Sequence, residues 1–134
     1  MISENIHDPI IESLSESFSE IVSLLKSLGN EHRFQILLYL LKGSKSFGNI
    51  VKDTNRKKTA VSNHLSQLIV TNLIEKGDYG IYKISGDGIE FMKAIDFAFQ
   101  KSPTRQMRKF KDLQSRKISN SFLNRFSQYT PVDG

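Results

Sequence analysis

Apolar residues recur at helical spacing through most of this chain, most clearly over residues 57–74. Val61, Leu65, Leu68 and Ile69 stand at i, i+4, i+7 and i+8, which predicts one buried helix face, while Lys58, Thr59, Ser62, Asn63 and Ser66 fall on the opposite face. Upstream, Ile11, Leu14, Phe18, Ile21, Val22, Leu25 and Leu28 keep helical spacing from Ile10 onward, with Glu12, Glu16 and Glu20 on another face. Gly29 ends this first helix, and Asn30 is placed to cap a second over Glu31–Leu41. The second helix is apolar nearly all round through Phe34, Ile36, Leu37, Leu38, Tyr39, Leu40 and Leu41, so it is expected to be the central core helix, stopped by Gly43. Ser46 predicts the cap of a short third helix, residues 47–52, with Phe47, Ile50 and Val51 inward. A turn at 53–56 joins it to the fourth helix, the segment described first.

Asn72 stands just past that helix, where a left-handed residue is expected, and Leu73 and Ile74 return to the core. Residues 73–76 and 81–84 read as two short strands around the glycine-bracketed turn at 77–80. A fifth helix over about 87–100 carries Ile89, Met92, Ile95 and Phe99 in one stripe, with Phe91 and Ala98 beside it. Pro103 breaks it, and Thr104 is the expected cap of a sixth, basic helix with Met107, Phe110, Gln114, Ile118, Phe122 and Phe126 at roughly helical spacing. Two helices joined by a short turn and followed at once by a hairpin form a winged helix. The expected fold is therefore mainly α (α+β): a winged helix-turn-helix with a two-stranded wing and extra N- and C-terminal helices. Residues 1–9 read as a loose leader, 10–102 as the winged-helix domain, and 103–134 as a basic C-terminal helix serving as a dimerisation extension.

Charge sharpens the picture. The outer face of the fourth helix is short and hydrogen-bonding at its centre and cationic at its start, and residues 57–74 contain no acid. An ordinary solvated helix face mixes Glu with Lys, so an acid-free face expects an anionic partner. Charges are also segregated along the chain: residues 1–30 sum to −4, residues 41–84 to +5 and residues 101–134 to +6, within a net +5. The chain has no cysteine, which excludes disulfides, zinc–thiolate sites and thiol redox sensing. No apolar run approaches the roughly 20 residues of a membrane span, and the N-terminus lacks the basic start and apolar stretch of a signal peptide. Cytoplasmic residence is the expectation.

The sequence Leu28-Gly29-Asn30-Glu31-His32-Arg33-Phe34, followed by Val61-Ser62-Asn63-His64-Leu65 and by Leu73-Ile74-Glu75-Lys76, resembles the ArsR-type winged-helix transcription regulators over about residues 20–100. The resemblance implies a homodimer, built from first and last helices, that binds a near-palindromic DNA operator and represses transcription. It gives His64 a structural place at the edge of the core, hydrogen-bonded locally, ahead of metal or DNA contact. The chain departs from metal-sensing members of that family at the start of the third helix, where Ser46-Phe47-Gly48-Asn49-Ile50-Val51 carries no thiolate. It departs also at the recognition-helix cap, where Lys57 stands in place of Ser or Thr.

Other chemistries find little support. His7, His32 and His64 form no metal-ligand spacing, so no metal and no cofactor are expected. Gly86-Asp87-Gly88 lacks the glycines of a phosphate loop and reads as a turn into the fifth helix. No nucleophile has a base and an orienting partner, so no enzyme is expected. The expectation is a sequence-specific DNA-binding regulator, not a thiolate metal sensor, with double-stranded DNA and a second copy of itself as partners, no membrane, and an unassigned small-molecule effector. Lys57, Lys58, Thr59, Ser62, Asn63 and Ser66 are expected in the major groove, with Arg56, Lys76 and Lys83 on the DNA backbone and Tyr79 at the wing. The expected dimer interface uses Leu14, Phe18, Ile21, Leu25, Ile95, Phe99, Phe110, Phe122 and Phe126. The alternative reading is a winged helix used as a protein–protein module without specific DNA binding.

Overall fold

The computed structural model describes residues 5–129, with side chains through Arg116. Phe122 and Phe126, assigned above to the dimer interface, therefore lie outside the described side chains. The chain divides into two compact units, Met1–Phe91 and Met92–Gly134, and the division falls within a helix, ahead of the expected boundary at 102/103.

In the first unit the expected single N-terminal helix is two, α1 (Asp8–Glu16) and α2 (Phe18–Leu28). Ser17 breaks them, with φ −114° and ψ 29°. The reason is local: Ser13, Ser15, Ser17 and Ser19 are short hydroxyls that compete with the helical backbone, and α1 buries no residue, so packing does not enforce continuity. The helix also begins earlier than the leader assignment allowed. Asp8 opens it and Pro9 sits inside its first turn, where a missing N–H costs nothing.

Asn30 caps α3 (Glu31–Leu41), its side-chain oxygen accepting from the Arg33 N–H at 3.0 Å. The helix buries only Ile36, Leu37 and Leu40, whereas Leu38 and Leu41 remain half exposed, so it is a one-faced core helix rather than an encircled one. Gly43, at φ +144°, turns the chain into β1 (Lys45–Ser46), which pairs antiparallel with β3 (Ile81–Ile84). No alternation of apolar residues announces this strand. Ser46 then caps α4 (Phe47–Thr54), its Oγ accepting from the Asn49 N–H at 3.1 Å. The helix runs two residues past its expected end and closes on Asn55 in the left-handed region, φ 55°. The Tyr39 hydroxyl donates to the Asp53 carboxylate, tying α3 to α4, and that bond pushes the Tyr39 hydroxyl above its ordinary pKa.

α5 (Lys58–Val70) buries Val61, Leu65 and Leu68 as the spacing requires, but Ile69 is partly exposed and belongs to the rim. Asn72 adopts φ 60° as expected, returning Leu73 and Ile74 to the core ahead of β2 (Ile74–Lys76). The sheet order is β1-β3-β2, with Ile74 opposite Ile84, Glu75 opposite Lys83 and Lys76 opposite Tyr82. The wing is thus three-stranded at its root rather than two-stranded.

Ser85 knots the wing to the next helix, α6 (Gly86–Lys101). Its N–H donates to Leu73 O at 3.0 Å, its hydroxyl donates to Asn72 O at 2.7 Å, and the same oxygen accepts from the Gly88 N–H at 2.9 Å. Gly86-Asp87-Gly88 is accordingly the first turn of α6. In the second unit, α6 continues into α7 (Pro103–Tyr129), and Ser102, not Thr104, is the cap: its Oγ accepts from the Arg105 N–H at 3.0 Å, with Pro103 at the first helical position.

A Cβ on Gly88 would lie 2.2 Å from Leu73 O and 2.7 Å from Ile84 Cγ1, whereas one on Gly86 meets nothing within 4 Å. Gly88→Ala is expected to destabilise the protein by about 1–3 kcal/mol, the usual cost of overpacking. Urea unfolding should show that loss for Gly88→Ala and not for Gly86→Ala; equal midpoints for the two variants contradict the knot.

Candidate nucleic-acid interface

Because Val61, Leu65 and Leu68 must point into the core, the residues between them must point out. Lys58, Thr59, Ser62, Asn63 and Ser66 are all exposed on α5, and Lys57 is exposed at its N-cap position. Lys57 caps nothing with its side chain, so the first N–H groups of α5 are left with no side-chain acceptor. A helix start with uncapped N–H groups, next to Lys57 and Lys58, favours an anion. Arg56 precedes it, half-buried, with its Nε buried and without a hydrogen-bond partner.

The hairpin adds a second element. Lys76 and Lys83 are exposed on β2 and β3, the former with its Nζ 5.8 Å from the centre of the Tyr82 ring. At the tip, a turn of 3-10 helix (Asp78–Gly80) places Tyr79 at φ 60°, a region that an aromatic residue rarely adopts, and leaves the side chain 98% exposed. A strained residue with no packing to hold it is more informative than a relaxed one, since strain of this kind concentrates where a surface does something. Every residue assigned from sequence to the DNA surface, Arg56 excepted, is thus solvent-exposed, and those of α5 share one helix face.

The residues expected at a dimer interface are also uncovered. Leu14, Phe18 and Leu25 in the first unit are at least half exposed, and Ile21 is half-buried. In the second unit Ile95 is partly exposed, and Phe99 and Phe110 are more than half exposed. Sequence reasoning missed the residues behind the outer face of α5. Arg33 donates from Nε to Ser27 O at 3.3 Å and from Nη2 to Lys26 O at 3.4 Å, and its Nη1 meets His64 Nδ1 at 3.5 Å. The local bonding expected of His64 is therefore present, with Arg33 as the partner. Among the described residues no group of three metal-ligating side chains occurs, and no helix is long and apolar enough to cross a membrane.

A capped helix, a tight turn, an outward-facing polar helix and a hairpin define a winged helix-turn-helix. The family profile described as "Bacterial regulatory protein, arsR family" matches residues 30–76, so that span is similar to an ArsR-type helix-turn-helix. No curated protein matches the chain in sequence. Among solved structures, HlyU from Vibrio cholerae is 27% identical, with a TM-score of 0.53 over 64% of this chain and 95% of that one. The transcriptional repressor BigR from Xylella fastidiosa is 18% identical, with a TM-score of 0.54 over 66% and 92%. Mb0332 from Mycobacterium bovis, described as a homodimeric winged helix-turn-helix DNA-binding domain and a possible ArsR-family regulator, is 21% identical, with a TM-score of 0.57 over 79% and 95%. The last two likenesses establish the fold.

Replacing Tyr79 with glycine removes the left-handed strain at the cost of a freer unfolded chain. Tyr79→Gly is expected to leave stability unchanged or raise it by up to about 1 kcal/mol, while weakening duplex binding. Thermal unfolding and fluorescence anisotropy on the same preparation check both signs. A loss of stability, or unchanged duplex affinity, removes Tyr79 from the interface.

Proposed function

We propose that this protein is a sequence-specific DNA-binding transcriptional regulator, a repressor, that works as a homodimer without catalysis and without thiolate metal sensing. The observation that carries the reading is the exposed, acid-free face of α5, presented outward by burial of its opposite face. Asn63 offers an amide that can pair bidentately with adenine, and Lys58 suits guanine or a phosphate. Thr59, Ser62 and Ser66 are short enough to let the helix approach base edges closely. Lys57 enters the groove beside Lys58, and Arg56, Lys76 and Lys83 supply backbone contacts that fix register without carrying sequence information. The repressor assignment is supported by BigR, described as a transcriptional repressor, and the dimer by Mb0332, described as homodimeric. The absence of any cysteine supports the exclusion of thiolate sensing.

Selection of bound duplexes from a random pool tests the reading directly. Asn63→Ala is expected to cost on the order of 1–3 kcal/mol on the selected site and little on random duplex. Binding to random duplex should itself weaken steeply as salt is raised, because each phosphate contact releases counterions. Failure to bind any duplex at low salt favours the protein–protein module instead.

The uncovered stripes support the dimer. Side chains such as Phe18, 66% exposed, form an apolar surface that a lone winged helix does not cover. In a symmetric pair the same surface is used twice, and the acidic N-terminal helices and basic C-terminal helix offer complementary charge. Phe18→Glu is expected to give a folded monomer by sedimentation, with binding reduced toward the non-specific level because the two reading helices lose their spacing of roughly 34 Å. A monomeric wild type at micromolar concentration, or a Phe18→Glu variant that stays dimeric and binds normally, removes this interface.

A further inference from the structure

Behind the reading face, α5 is pinned to the corner between α2 and α3 by a contact that depends on protonation. Arg33 holds the carbonyls of Lys26 and Ser27 at the end of α2 and reaches Nδ1 of His64 on α5. A guanidinium has donors and no acceptor, so Nδ1 must be the acceptor and the imidazole proton must sit on Nε2. The contact therefore exists only while His64 is neutral. A second tie, from Thr71 Oγ1 to Ser27 Oγ at 3.2 Å, joins the C-terminal end of α5 to the same place and does not titrate in this range.

The surroundings of His64 are cationic. The His32 ring lies 5.5 Å away, tilted by 57°, and Arg33 and Arg56 act on it electrostatically. The carboxylates and remaining cations on the elements around it, Glu20 and Lys26 on α2, Glu31 on α3, Lys52 and Asp53 on α4, Lys58 on α5 itself, and Glu75 and Lys76 on β2, are exposed, and the charges that act on it are those of Arg33, His32 and Arg56. An imidazolium formed here faces one guanidinium it can no longer accept from, with a second nearby and no carboxylate acting to offset them.

We propose that His64 is a positioning residue for DNA reading: as a neutral imidazole it pins α5 through Arg33, and as an imidazolium it releases the pin, so that sequence-specific binding weakens on mild acidification. The reading residues flank it, with Ser62 and Asn63 immediately before it and Ser66 two residues after. Core burial of Val61, Leu65 and Leu68 does not depend on the imidazole, so release alters the seating of α5 without unfolding the domain. Hydrogen bonds to base edges weaken steeply with misalignment, and that makes reading the sensitive quantity. Desolvation first, then Arg33, His32 and Arg56, hold the His64 pKa below its ordinary value. The sign follows: the folded pKa lies under the unfolded one, so the stabilisation is complete above about pH 6.5 and is lost as pH falls through the folded value.

This inference rests on the DNA-reading proposal, and one experiment separates the two. Affinity is measured for a duplex enriched from a random pool at about pH 8 and for random duplex, each from about pH 8 to about pH 5.5 at fixed ionic strength. Acidification adds positive charge and favours phosphate contact generally, so the informative quantity is the ratio of the two affinities. For the wild type the ratio is expected to fall roughly three- to tenfold, the size of one hydrogen bond. His64→Gln, neutral at every pH with an amide oxygen as acceptor, should hold the ratio constant. His32→Gln should keep the fall, and Arg33→Met should give the acidic ratio at every pH. Without DNA, amide hydrogen exchange over residues 61–68, corrected for intrinsic rates, should accelerate on acidification in the wild type and not in His64→Gln. A flat wild-type ratio, or a His64→Gln variant that falls or exchanges as the wild type does, overturns the pin. If no duplex is enriched, DNA reading fails, and the exchange comparison alone decides the pin.

Discussion

Val61, Leu65 and Leu68 of α5 and Ile36, Leu37 and Leu40 of α3 are all withdrawn from water in the first unit, and their positions at spacings of three and four fix how each helix is rotated about its own axis. Burying one such side chain is worth roughly 1.5–3 kcal/mol, so turning α5 to expose three of them costs on the order of 5–9 kcal/mol. That is comparable with the whole stability of a small domain, about 5–15 kcal/mol. Rotation of α5 is therefore not a soft coordinate. Which of its residues face outward is settled by which face inward, and Ser62, Asn63 and Ser66 owe their exposure to the leucines and valine beside them. Smaller adjustments remain open, because a hydrogen bond such as that between Arg33 and His64 is worth far less than the buried face.

The wing is organised by polar bonds where α5 is organised by apolar burial. Asn72 in the left-handed conformation lets Leu73 and Ile74 re-enter the core, Asn72 Nδ2 donates to Asp87 at 2.8 Å, and Ser85 ties both Asn72 and Leu73 to the first turn of α6. Gly88 is needed because the Leu73 carbonyl passes where a Cβ would stand. With its root held in this way, the hairpin can carry an unfavourable conformation at its tip. Tyr79 holds a left-handed backbone with no side-chain packing to compensate it, so the strain is met by the strands and the glycine at position 80, itself at φ 69°.

Sequence periodicity revealed these features unevenly, and for physical reasons. α5, the turn at Asn72, the hairpin and the Ser46 cap were legible because each is dictated by local chemistry: a helical apolar stripe, a left-handed residue, paired short strands, a hydroxyl at a helix start. The break at Ser17 was not, because Leu14, Phe18 and Ile21 keep one helical phase straight across it. β1 was hidden for the opposite reason: Lys45 and Ser46 join the sheet through backbone bonds to β3, and a two-residue strand has no pattern to display. Leu38, Leu41 and Ile69 show a third limit, since apolar character alone does not distinguish a core position from a rim position. Arg33 was visible only as part of a family-like motif. Its partners Lys26, Ser27 and His64 are brought together by the fold and not by spacing.

The proposed reading face is small, and its size bears on why the apolar stripes matter. On each α5, Asn63 and Lys58 are the side chains able to discriminate a base strongly, and a good bidentate pair supplies about 1–3 kcal/mol. One helix therefore reaches roughly 2–6 kcal/mol of discrimination, at the low end of the roughly 4–10 kcal/mol that separates specific from non-specific binding in regulators of this kind. Two helices acting together cover that range. The proposed phosphate contacts from Arg56, Lys76 and Lys83 cannot make up the difference, because such contacts strengthen binding to every sequence alike. On the proposed reading, then, uncovered apolar side chains such as Phe18 and Phe99 are part of the specificity as much as Asn63 is: they join two weak readers into one that discriminates.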